Sequence, residues 1–161
     1  MNMRIVIVAF ISLAALGALR FSVRAEQAAP SPQAPATSST ERSQSVWDGV
    51  YTQEQAKRGG ALYSQKCAHC HAQDLTGGET APALASGEFK SNWSGLSVDD
   101  LFERIKISMP QDNPGSLSRQ QTADILAFVL SRGGFPAGET ELAREAEVLK
   151  QIRFEATKPS P

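Results

Sequence analysis

Cys67-Ala68-His69-Cys70-His71 decides how this chain is read, because these positions hold both cysteines and both histidines of its 161 residues. Chemistry that needs scattered thiols or imidazoles is thereby excluded: disulfide-rich scaffolds, multi-finger zinc proteins and triads with a distant histidine. Four potential ligands packed into so short a run cannot surround one tetrahedral ion, which argues against a closed zinc site. A redox dithiol of this spacing belongs with a βαβ pattern. No stretch of the chain alternates in the strand manner for more than a few residues. A disulfide between Cys67 and Cys70 would close a loop too short to stabilise much.

The spacing fits covalent attachment of a c-type haem. Two thiols one helical turn apart can each form a thioether to the same porphyrin edge. The next residue, His71, then aims an imidazole at the iron from one fixed side. The second axial ligand of such an iron is commonly Met or His. His69 lies between the two tethers and cannot reach the opposite face, so it reads as a solvent-edge residue. Met1 and Met3 sit at the extreme N-terminus, which leaves Met109 as the sole other methionine. The sixth ligand is therefore Met109 or nothing from this chain. Met109 stands in Ile107-Ser108-Met109-Pro110, where proline ends a helix and turns the chain into a loop. Core packing is the competing use of a methionine, but Ser108, Pro110 and Gln111 make poor core company. Met109 follows His71 by 38 residues, ample to wrap a porphyrin.

Around the motif the chain reads as all-α. Thr52 followed by Gln55 opens a helix whose stripe carries Ala56, Gly59, Gly60, Tyr63 and Cys67. Ser97 followed by Asp100 opens a second, with Leu101, Phe102 and Ile105 on its buried face. The Asp99-Asp100 pair sits where a helix dipole stabilises negative charge. Ser118 opens a third, in which Thr122, Ile125, Leu126 and Val129 recur at helical spacing until Gly133-Gly134 stops it. The connecting segments, 72–96 and 107–117, are rich in Gly, Pro, Ser and Asn. Loops this long in a small domain are unusual unless something fills the space between them.

The ends read differently. Residues 1–25 have the form of an export signal: a basic start, an uncharged and mostly apolar run from Ile5 to Leu19, and Val23-Arg24-Ala25 as a cleavage site. Retained, this segment would instead be an N-terminal membrane anchor; either way the expected location is the periplasm. Residues 26–46 form a Pro/Ala/Ser linker expected to be disordered, because they cannot bury enough surface to offset chain entropy. Residues 47–138 are the folded domain, and 139–161 form a tail of helical composition. Leu142, Val148, Leu149 and Ile152 give that tail a partial apolar stripe, for packing on its own domain or on a partner subunit. Apolar residues are 41% and charged residues 20% of the chain, with 16 Lys+Arg against 17 Asp+Glu. Without the leader 13 basic side chains remain, so a nucleic-acid partner is disfavoured.

Over residues 47–138 the chain resembles class I cytochromes c. Gly59 and Tyr63, Cys67, Cys70 and His71, Ala81-Pro82-Ala83-Leu84, Met109-Pro110, and the last helix with Ile125, Leu126 and Phe128 carry the likeness. The resemblance implies a small helical domain around one covalently bound haem c, with first and last helices crossing at Gly59. It implies that the Pro82 carbonyl fixes the proximal imidazole. It implies electron transfer without substrate chemistry, with protein donors and acceptors docking near the haem edge. The run Met109-Pro110…Pro114-Gly115-Ser116-Leu117 is similar to cytochromes encoded with, or fused to, quinoprotein dehydrogenases. A compact post-haem loop and a tail beyond Gly138 depart from the usual pattern. Trp93 either borders the haem, by packing on its edge or donating to a propionate, or simply packs in the core.

Overall fold

The computed structural model describes residues 43–160; the expected leader, most of the linker and the final residue lie outside them. In chain order the elements are β1 (Gln44–Ser45), a single 3-10 turn (Val46–Asp48), α1 (Gln53–Lys66), α2 (Ala68–His71), α3 (Gly87–Trp93), α4 (Val98–Ser108), α5 (Arg119–Arg132), α6 (Ala146–Leu149) and β2 (Ile152–Arg153). The three expected helix starts are the observed ones. Thr52, Ser97 and Ser118 each accept a backbone N–H with their side chain, and the last two form full capping boxes with Asp100 and Gln121.

The frame is the crossing of α1 and α5, which is where Gly59 is required. A Cβ there would overlap the backbone carbonyl of Asp124, and Gly60 faces the Phe128 ring. No larger residue allows two helices to approach so closely. From this crossing the apolar side chains divide into two clusters. The larger gathers Val46, Tyr51, Phe102, Leu126, Leu130, Leu149 and Phe154, among others; the smaller holds Tyr63, Leu75, Leu117, Ile125 and Val129.

Three parts of the sequence reading need correction. Residues 44–46 of the expected linker belong to the fold: Val46 is completely buried, and Ser45 and Asp48 cap each other in a capping box. The segment 72–96 contains α3, capped by Ser86. That helix buries no residue fully, so it has no core stripe to betray it. The tail is helical only over Ala146–Leu149; the rest is bends, turns and irregular backbone except for β2, which pairs in parallel with β1.

That tail packs on its own domain. Leu142, Leu149, Ile152 and Phe154 enter the larger cluster. The Gln55 amide holds its backbone at Leu142 from both sides, donating to the carbonyl at 3.0 Å and accepting the N–H at 2.6 Å. Trp47 donates its indole N–H to the Glu155 carbonyl. Among the described residues no helix is long and apolar enough to cross a membrane.

Candidate functional site

The junction of α1 and α2 sets the thiols. Cys67 ends α1 by donating its N–H to Tyr63, and both Cys70 and His71 donate back to the Cys67 carbonyl at 3.1 and 2.9 Å. One tight turn thus brings Cys67, Cys70 and His71 to the same wall. Both cysteines are free thiols. Burial first, and then the neighbouring Cys70, push the Cys67 thiol up to about 11. It stays protonated at neutral pH, the opposite of the activated thiolate that redox dithiols rely on. Among the described residues no three His, Cys, Asp or Glu side chains converge as a metal-ion site.

His71 is buried, and its Nδ1 lies 2.8 Å from the Pro82 carbonyl oxygen. A carbonyl only accepts, so Nδ1 carries the proton and Nε2 keeps a free lone pair. Such a hydrogen bond fixes ring and tautomer together, as metal-binding imidazoles require.

The loop that presents Pro82 depends on residues whose roles the sequence did not reveal. Tyr63 donates its hydroxyl to the Ala72 carbonyl at 2.8 Å, with the His71 carbonyl at 3.3 Å. Burial pushes that phenol up to about 12. Gly77 adopts φ +80°, and a Cβ there would stand 2.6 Å from the Ala83 backbone nitrogen. Any other residue would prise the Pro82 segment off the motif.

Met109 caps α4, donating its N–H to Ile105 at 3.0 Å. Lys106 reaches across the following loop to the Gly115 carbonyl at 3.1 Å. One cavity of about 730 Å³ is bordered by Cys67, Cys70, His71, Pro82, Trp93 and Met109 together. Its apolar walls come from Leu84, Phe89, Leu101, Ile105, Ile125 and Val129. The volume falls in the range of cofactor sites. Trp93 borders the cavity while packing against the larger cluster and Phe89. His69 is exposed at the rim.

The donor set suits haem c. It offers two sulfurs for thioether bonds, an imidazole with one nitrogen oriented by Pro82, the thioether of Met109 on the same cavity, and apolar walls for a porphyrin.

Residues 54–129 match the family described as cytochrome C oxidase, cbb3-type, subunit III. Among solved structures the chain is similar to the sulfane dehydrogenase SoxCD from Paracoccus pantotrophus, at 23% identity and a TM-score of 0.46. That match covers 67% of this chain and 61% of the other, so the chain spans less than two thirds of its relative's length. No curated protein matches the chain.

Proposed function

The chain carries a class I c-type cytochrome domain with covalently bound haem c, an electron-transfer module, and from that premise we propose that it works as a periplasmic single-electron carrier with one haem ligated by His71 and Met109. When bound, the haem supplies a one-electron ferric/ferrous couple. Cys67 and Cys70, both half-buried in the cavity wall, tether it, and the porphyrin edge they hold is the route for electrons. His71 is held in one tautomer by Pro82, so its ligating nitrogen needs no rearrangement between oxidation states. Met109 offers a thioether, which favours the ferrous state and raises the potential relative to a second imidazole. The apolar walls act in the same direction, because they disfavour the extra charge of the ferric site. Donor and acceptor are proteins that dock weakly and reversibly at that edge.

The observation that carries this reading is the meeting of Cys67, Cys70, His71 and Met109 on one apolar cavity, with His71 already oriented through Nδ1. Met109→Ala tests it. The low-spin six-coordinate spectrum is expected to become five-coordinate or water-bound, and the potential to fall. An unchanged spectrum and potential would remove Met109 as ligand; rapid carbon monoxide binding by the unmutated protein would point to an open distal face. The 109–117 loop favours a second reading, a haem subunit of a periplasmic quinoprotein-type dehydrogenase complex, which co-purification of a dehydrogenase would support. N-terminal sequencing of fractionated cells distinguishes a cleaved leader from a membrane anchor.

A further inference from the structure

Away from the cavity, one corner of the domain gathers four charges from three segments under partial cover. Asp99, in the first turn of α4, is 9% exposed. Its Oδ1 is buried with no hydrogen-bond donor. Glu103, one turn further along the same helix face, pairs with Arg119 Nη1 of α5 at 2.6 Å. Arg119 also donates through Nε to the Arg144 carbonyl of the tail and lies over the Phe102 ring, 4.5 Å from its centroid. Its Nη2 is buried with no acceptor. Lys150 comes from the tail just past α6 and is held by Glu147 at 2.9 Å. The charges acting on Asp99 are thus Glu103 and Asp100 from its own helix, Arg119 from α5 and Lys150 from the tail.

Cover for this corner comes from the tail: α6 and β2 lie against α4, and Leu149, Ile152 and Phe154 share a cluster with Val98 and Phe102. We propose that docking of the tail on α4 is proton-operated, with Asp99 as the switch: its neutral form is tolerated beneath the tail, and its ionised form loosens it. A neutral carboxyl loses little by burial, whereas an ionised one with an unpartnered buried oxygen does not regain its lost hydration. Burial, followed by the Glu103 charge, pushes the Asp99 carboxyl above the ordinary range, while Lys150 and Arg119 pull the other way. The sign follows. A carboxyl raised in the docked state binds more protons there than when the tail is free. Docking is therefore strongest in acid and weakens as pH rises through the window above the ordinary carboxylate pKa. The proton moves between Asp99 and solvent.

Hydrogen exchange on the haem-loaded full chain tests this. The amides of Leu149, Lys150 and Phe154, bonded to Glu145, Ala146 and Leu96, report on the tail; protection factors remove the intrinsic pH dependence of exchange. Protection of these amides is expected to fall severalfold from pH 4.5 to 7.5, while amides in the middle of α5 change less. Asp99→Asn should hold tail protection high and flat. Lys150→Met, which leaves Asp99 in place, should move the fall to higher pH. A flat profile in the unmutated protein would overturn the proposal. So would the same fall in Asp99→Asn or, if that variant does not fold, an unmoved fall in Lys150→Met.

Discussion

The two faces of α5 meet different partners. On one, Leu126 and Leu130 stand off the cavity lining, in a cluster completed by the start of the domain, α4 and the returning tail. The buried members of that cluster touch the cavity only at its edge, through Leu101. On the other, Ile125 and Val129 border the 730 Å³ cavity. One core is finished mainly by the chain itself, and the other opens on the cofactor cavity. The contrast explains how so small a domain tolerates a large internal space. Stability concentrates on the side that needs no cofactor, and the side that binds it is left open to be filled.

Breaking the self-closed face should cost most. Phe154→Ala empties a fully buried ring position and is expected to lower stability by about 3–5 kcal/mol. Denaturant titration should show this loss in cofactor-loaded and cofactor-free protein alike. Gly59→Ala forces a Cβ into the Asp124 backbone and should cost about 3 kcal/mol, the upper end for overpacking, because backbone cannot swing aside. Gln55→Ala strips the Leu142 N–H and carbonyl of their buried partner. A loss of about 2 kcal/mol is expected, with faster exchange at the Leu142 amide.

The cavity face sharpens the comparison. Ile125→Val should cost about 1 kcal/mol in loaded protein and distinctly less without cofactor, where the methyl group has less to touch. Equal penalties in both states would mean that this face packs on protein after all. The smallest effect concerns acid. The Asp100 carboxyl is held below its usual range, chiefly by the Ser97 hydroxyl and then by the Ser97 N–H. Its folded-state value is lowered, so its contribution is present above the ordinary carboxylate pKa and lost as pH falls through the depressed one. Asp100→Asn should lower stability slightly at neutral pH and flatten the acid limb of the stability–pH curve, the two proteins converging in acid.

Sequence legibility followed the same division. Helix starts are local hydrogen-bond chemistry, so Thr52, Ser97 and Ser118 announced α1, α4 and α5. The thiols and His71 were legible because their spacing is itself the geometry. Met109 emerged by elimination, since no other thioether lay beyond the leader. What stayed hidden was whatever depends on distant partners. The burial of Val46 and the pairing of β1 with β2 need residues more than 100 positions away in the chain. The tail's charged composition suggested a helix, whereas its backbone follows the surface that Gln55 and the larger cluster offer. Tyr63 looked like packing alone; its hydroxyl on the turn after His71 could not be read from spacing. Gly77 is one glycine in a loop of several, and only the approach of Ala83 shows why it is needed.

The pairing of Gln44–Ser45 with Ile152–Arg153 also sets an order of events during synthesis. Cys67 to His71 leave the ribosome some 80 residues before the strand that completes the larger cluster. Until that strand arrives the nascent domain lacks its closing seam. The last residues made therefore lock the architecture, and a product ending before Ile152 should be digested far more readily than the full chain.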